Sequence, residues 1–258
     1  MKNIMKKILF LFFVLLANTA NAQVNIFACE PEWKALAEEI GKENVKAFSA
    51  ITARQDPHHI RAKPSLLAAA RNADLIICTG ASLEVGWLPL LLQKTSAPVI
   101  YAADYVNLLE KPQSVDRSMG DVHPEGNPHI HLNPYNILKV GAEINSRLAE
   151  IDPANKAQYQ KNWQEFERKW KQKIPEWEKD AAFLRNSYVI THHESWLYLL
   201  DWLGIKKLAT LEPKPGIPPT TGHLEEILQQ LGTNKAVAII RAPFNPEDAS
   251  SWLAEKTN

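Results

Sequence analysis

Between residues 24 and 101 short apolar runs alternate with segments of helical spacing, and the same alternation resumes after residue 188. Val24 to Ala28, Val45 to Ala50, Ala73 to Cys78 and Pro98 to Tyr101 read as strands too continuously apolar to keep one face wet. Strands buried on both faces belong to parallel sheets, and parallel strands need crossover helices. The intervening segments supply them. Pro31 to Ile40 places Trp33, Leu36, Ala37 and Ile40 on one face, with Pro31 in its first turn and Gly41 at its end. Pro64 to Arg71 and roughly Leu83 to Gln93 are the next helices. The second series runs from a strand at Tyr188 to His193 into a helix at Glu194 to Leu203, closed by Gly204. A strand at Ile205 to Leu211, a helix at Thr221 to Leu231 with Thr221 as N-cap, a strand at Ala236 to Arg241 and a helix at Pro246 to Lys256 follow. The expected class is α/β, with two doubly wound lobes of parallel sheet.

The two series are separated by helix. Ile137, Val140, Ile144 and Leu148 form one apolar stripe, broken at Asp152-Pro153. A second helix from Pro153 to about Leu184 is charged, free of Gly, and carries Tyr159, Trp163, Phe166 and Trp170, with Pro175 expected to bend it. Some thirty residues of helix reach about 45 Å, beyond the core of a small lobe. The expected division is a leader at 1–22, an N-terminal lobe at 23–152, a linking helix at 153–184 and a C-terminal lobe at 185–258. The second series has three strands against four in the first, so the C-terminal lobe is expected to be incomplete.

The leader is read from Lys2, Lys6 and Lys7 ahead of the apolar run Ile8 to Ala17, then Ala20-Asn21-Ala22 as a cleavage site. The run is too short to span a bilayer. A lipoprotein needs a modifiable Cys directly after it, and Cys29 lies too far downstream. A periplasmic protein beginning at Gln23 is expected. Without the three leader lysines it has 26 basic and 29 acidic residues, a balance that argues against a nucleic-acid partner. Cys29 and Cys78 each end a strand-like run, and in an oxidising compartment neighbouring strands would bring them within bridging distance. Two buried free thiols are the alternative, and a Cys-type metal site lacks the Cys-x-x-Cys spacing.

Chemistry concentrates in histidine. His58-His59 and His192-His193 sit at strand ends, and His123, His129 and His131 lie in a long loop from Asn107 to Pro134 stiffened by Pro128 and Pro134. Long structureless loops inside a lobe are usually functional, and ligands of open α/β sheets bind beyond the strand ends. Neutral imidazole is the commonest metal ligand. Adjacent residues of extended chain point to opposite sides, so one imidazole of each pair is expected to bind. His58 follows Pro57 directly, and His59 is expected to pack or hydrogen-bond nearby. Spacing does not choose between His129 and His131, and His123 is a further candidate. His192 reads as a supporting donor or a core residue, and His223 as solvated. Three imidazoles favour Zn²⁺, with Mn²⁺ the less favoured ion because it prefers carboxylate oxygen. Water or Glu212 would complete the set.

Asp56-Pro57-His58, Ala62-Lys63-Pro64-Ser65, Cys78-Thr79-Gly80-Ala81, Gly86-Trp87-Leu88-Pro89, Asn127-Pro128-His129, His193-x-x-Trp196-x-Tyr198 and Glu212-Pro213-Lys214-Pro215-Gly216 occur in this order. Together they resemble the periplasmic solute-binding proteins of zinc and manganese ABC transporters, the cluster A-I or TroA-like family, across nearly the whole chain after the leader. The resemblance implies two α/β lobes joined by one long rigid helix. It also implies metal ligands at His58, His129 and His193, the last being a glutamate in manganese-type relatives. The family's fourth ligand is an acidic residue after a late strand, and this sequence stops before it, so the chain is expected to be a C-terminally truncated relative. The His-rich acidic loop of some zinc members is absent.

The expected function is capture of Zn²⁺, as transported ligand, for a membrane permease of an ABC importer, by a monomer with no enzymatic activity. A periplasmic metallochaperone is a second candidate partner. Two rivals stand beside this. One is a degenerate or adhesin-like interaction protein with an impaired site. The other is a zinc-dependent hydrolase with Glu194 near the ligands, for which no HExxH helix is present.

Overall fold

The computed structural model describes residues 23–257, and the leader expected over residues 1–22 lies outside them. β1 (Val24–Ala28), β2 (Val45–Ser49), β3 (Leu75–Cys78) and β4 (Val99–Tyr101) form one sheet in the order β2-β1-β3-β4. β5 (Tyr188–Thr191), β6 (Lys206–Thr210) and β7 (Ala236–Ile240) form a second, in the order β6-β5-β7. Every pairing is parallel. In each sheet the first strand of the series is flanked on both sides by later ones, so the winding direction reverses beside it. Such a switch point leaves a crevice beyond the carboxyl ends of the strands.

The helices that pack on the first sheet are α1 (Pro31–Gly41), α2 (Pro64–Arg71), α3 (Leu88–Leu92) and α4 (Pro134–Ile151), and α5 (Lys156–Asp180) follows them as the long helix between the two series. Alternate side chains along a strand leave on opposite faces. Ile26, Ala28, Leu75 and Ile77 meet α1, α4 and α5 through Trp33, Ile40, Val140, Ile144 and Trp163. Phe27, Ile76 and Cys78 meet α2 and α3 through Leu66, Ala70, Leu88 and Leu91 on the other face. Burial of both faces is why these strands carry almost no polar residue. In the second lobe Val189 packs with Leu200 of α6 (Leu197–Leu203). Ile190 packs with Ile227 of α7 (Thr221–Leu231) and Leu253 of α8 (Asp248–Thr257). A disulfide joins Cys29 and Cys78 at the ends of β1 and β3, with Cα atoms 4.7 Å apart.

Several elements depart from expectation. The helix expected over Leu83 to Gln93 shrinks to α3. Gly80, Ala81 and Ser82 all take positive φ (80°, 49° and 63°), and the Glu84 carboxylate accepts the Thr79 and Gly80 N–H groups at 2.7 and 3.1 Å. Those donors hold the chain in turns until Leu88. β5 ends at Thr191, so His192 and His193 stand in the turn beyond it. Thr220, not Thr221, caps α7, its Oγ1 accepting the His223 N–H at 3.3 Å. The long helix is interrupted by 3-10 turns at Pro153–Asn155 and Ala182–Leu184, leaving 25 residues, about 37 Å, in α5. At the first break Asp152 Oδ2 accepts from both Asn155 Nδ2 and Tyr159 Oη at 2.7 Å, which holds the turn.

α5 is no free-standing strut. Trp163 packs on Gly141 of α4, and Asn162 Nδ2 donates to the Ile40 carbonyl of α1 at 2.9 Å. At its far end Glu178 accepts from Trp202 Nε1 of the second lobe at 2.9 Å and from Tyr135 Oη of α4 at 3.1 Å. On its wet side the Glu165–Lys169 and Glu167–Lys171 pairs, both 2.7 Å apart, stand one turn apart with the glutamate N-terminal, the orientation that suits a helix.

Candidate metal centre

Three loops converge in the crevice. His58 stands in the loop after β2, His129 just before the turn that leads into α4, and His193 just after β5. Their ring centroids are 5.4–5.5 Å apart, and one nitrogen of each lies within 4.8 Å of the others. His129 and His193 are buried, with 5% and 8% exposure.

Each ring is held from behind. Asp56 Oδ1 accepts the His58 backbone N–H at 3.0 Å and lies 2.8 Å from its Nδ1, which turns Nε2 inward. Trp87 Nε1 donates to the Pro57 carbonyl at 3.0 Å and ties this loop to the core. Glu212 Oε2 lies 2.6 Å from His193 Nδ1 and also accepts the Gly216 N–H at 2.9 Å. A carboxylate on the outer nitrogen fixes the tautomer and raises the basicity of the inner one. Asn127 Oδ1 accepts the His129 N–H at 2.9 Å, while its Nδ2 donates to the Glu194 carbonyl at 2.9 Å. The buried Tyr198 hydroxyl donates to the Asn127 carbonyl at 2.8 Å and accepts the Leu109 N–H at 3.0 Å. Asn127 and Tyr198 thus lock the His129 loop of one lobe onto the His193 segment of the other.

The electrostatics suit a cation. Burial, then the neighbouring rings of His58 and His193, holds His129 well below the usual imidazole range. Its Nε2 is buried and has no hydrogen-bond partner. Burial works to raise the Asp56 carboxyl, but hydrogen bonds from the His58 ring and backbone and from the His59 ring outweigh it and keep it ionised. A neutral lone pair facing a common centre, backed by carboxylates, can coordinate a divalent ion. Beside the rings lies a cavity of about 90 Å³ reached by Asp121, His123 and Glu194. Its size suits an ion and a few waters.

The remaining histidines divide. His59 is exposed and pairs with Asp56 Oδ2 at 3.1 Å. His131 turns away to Glu32, 3.4 Å off. His192 is buried behind the cluster with Nε2 3.9 Å from Glu212. His223, expected to be solvated, is half-buried with Nε2 2.9 Å from the Thr210 carbonyl, because the Thr220 cap turns its face toward β6. Glu212, expected as a possible ligand, is engaged by His193 instead. His123 touches the cluster through His58, their Nε2 atoms 3.2 Å apart. The supporting roles of Asp56, Trp87, Asn127 and Tyr198 had no signal in residue type or spacing beyond the motifs that contain them.

The family model described as zinc-uptake complex component A, periplasmic (ZnuA), matches residues 26–258. The zinc-binding lipoprotein AdcA of Streptococcus pneumoniae (strain ATCC BAA-255 / R6) is 23% identical over 253 residues, covering 95% of this chain and 50% of that protein. The high-affinity zinc uptake system protein ZnuA of Yersinia pestis is 25% identical over 223 residues, covering 78% of this chain and 70% of that protein. The chain spans about half the length of the first curated relatives it matches. A crystal structure of ZnuA superposes with a TM-score of 0.80 at 24% identity, covering 91% of this chain and 88% of the other, which shows the two-lobed fold with its long helix. Among the described residues no helix is long and apolar enough to cross a membrane. With the model match running over almost the whole chain, the protein belongs to the ZnuA family of periplasmic zinc-uptake components.

Proposed function

We propose that this chain is a solute-binding protein that captures Zn²⁺ between its lobes through His58, His129 and His193 and passes it to the membrane permease of an ABC importer. The observation that carries the reading is the convergence of three imidazoles from separate loops, with the buried Nε2 of His129 left without a partner. Neutral nitrogen donors favour zinc over manganese. The relatives named for zinc binding and zinc uptake support the same ion. On this reading residues 1–22 are a secretory leader removed on export, the protein works in the periplasm, and no covalent bond is made or broken. Residues 23–152 and 185–258 act as the two lobes, with 153–184 between them.

Calorimetric titration of the purified protein with Zn²⁺ and Mn²⁺, beside a His193→Ala variant, tests this. One zinc per chain is expected, bound more tightly than manganese and weakened by the substitution. Zinc binding unchanged in His193→Ala would overturn the ligand assignment. Failure of the unaltered protein to bind zinc would favour an interaction module with a dead site.

A further inference from the structure

We infer that His123 is a fourth zinc ligand, carried on a strap that the first lobe lays across the cleft onto the second. The inference rests on the zinc-binding reading above and specifies how its coordination is completed.

Three imidazoles leave one tetrahedral position open, and Glu212 and Asp56 both serve the rings from outside, Glu212 on the outer nitrogen of His193 and Asp56 on that of His58. His123 Nε2 lies 3.2 Å from His58 Nε2. Two nitrogens on one tetrahedral zinc stand about 3.4 Å apart, given Zn–N bonds of about 2.0–2.1 Å. The spacing also fits an N–H···N hydrogen bond between two neutral rings in metal-free protein. His58 Nδ1 faces Asp56, so its Nε2 is the acceptor and the His123 Nε2–H the donor. A metal on the His58 lone pair breaks that bond, and His123 ligates as its other tautomer, with its single ring proton exchanged through water onto Nδ1. The freed His123 Nε2 then needs only to turn inward to share the ion.

The backbone around His123 is built to hold it there. On its N-terminal side the Asp121 N–H donates to the Pro215 carbonyl at 2.8 Å, and Lys214 Nζ donates to the Ser118 carbonyl at 2.6 Å. Gly120 and Gly216, both with positive φ, let the two chains approach closely. A Cβ on the first would strike the Pro215 carbonyl, and on the second the Asp121 carboxylate. On the C-terminal side the Gly126 N–H closes a turn on the His123 carbonyl at 3.2 Å, and the Glu125 carboxylate accepts from Ser82 Oγ at 2.9 Å. The strap ends on the Glu212–Gly216 turn, whose Glu212 orients His193. One connected set of bonds therefore positions His123 and His193, and a metal held by both would bridge the two sides of the cleft.

The test compares the unaltered protein, His123→Ala and, as a control, His131→Ala, all shown by thermal melting to be folded without metal. Zinc affinity is measured by chelator competition, and Co²⁺ is used as a spectroscopic stand-in for zinc. His123→Ala is expected to lose at least about tenfold in zinc affinity and to change the visible Co²⁺ absorption, which is intense for tetrahedral sites, with His131→Ala unaffected. Equal affinity in His123→Ala overturns the inference. Weaker zinc binding with an unchanged Co²⁺ spectrum also overturns it, leaving His123 as a support of the site and not a ligand. If the unaltered protein binds no zinc, the underlying reading falls and this inference with it, an outcome distinct from the other two.

Discussion

Glu212 Oε2 lies 2.6 Å from Nδ1 of His193 and accepts the Gly216 N–H at 2.9 Å, so a single carboxylate oxygen ties an inward-facing imidazole to the turn that follows β6. The pair explains why an acidic residue so close to the ring cluster serves it from outside. Glu212→Ala is expected to lower zinc affinity by about 10–100-fold, the usual loss when a ligand's outer partner is removed. Chelator competition reads this directly, and an unchanged affinity would show that the carboxylate does nothing for His193.

The lock between lobes gives a stability prediction. Tyr198 is 1% exposed, and its hydroxyl serves both the Asn127 carbonyl and the Leu109 N–H. Tyr198→Phe keeps the ring and strands two backbone groups, which costs about 1–3 kcal/mol. Denaturant unfolding of the metal-free variant should show that loss with little change in slope, and a variant as stable as the parent would count against the lock.

Acid should weaken the metal-free protein through its histidines. Burial, then the rings of His58 and His193, depresses His123 to about 4 from an ordinary value of 6.5, and burial holds His129 well below that value. A histidine with a depressed folded pKa stabilises the fold above its unfolded pKa, and that contribution is lost as pH falls from 6.5 through about 4. Melting temperatures over this window should fall less for His123→Asn than for the unaltered protein. Parallel curves would refute the contribution. Zinc affinity should decline over the same range because a protonated imidazole cannot ligate.

The bridge between Cys29 and Cys78 closes a segment of 49 residues between the ends of β1 and β3. In the chain-entropy model a loop of that length is worth about 4 kcal/mol. A Cys29→Ala, Cys78→Ala double variant should unfold at clearly lower denaturant concentration. Equal midpoints would mean the bridge adds nothing beyond the packing around it.

Much of the fold was legible in residue pattern. The apolar runs that became β1, β3 and β5 announced themselves because burial on both faces leaves little room for polar side chains, whereas β2, β6 and β7, at the sheet edges or half-exposed, keep a wetter face. α2 matched its expected bounds from Pro64 to Arg71 because proline at a first helical turn is a local constraint. Where tertiary bonds competed, local pattern misled. The apolar run after Ser82 looked helical, yet the Glu84 carboxylate had taken the Thr79 and Gly80 donors. His223 looked solvated, yet the Thr220 cap turned it to the Thr210 carbonyl.

The candidate site divides along the same line. From the amino-acid sequence alone came the α/β alternation, the long connecting helix and, with the family resemblance, His58, His129 and His193 as a set. Those are properties of residue type and order along the chain. Only the tertiary structure decided which nitrogen of each ring faces the centre, because that choice belongs to partners distant in sequence or hidden in a turn. Asp56 turns His58, and Glu212 turns His193 from nineteen positions away. Tyr198 holds the His129 loop through a bond spanning 71 residues. Periodicity reports which face of an element is buried. It carries no information on which distant carboxylate or hydroxyl will meet an imidazole once the lobes come together.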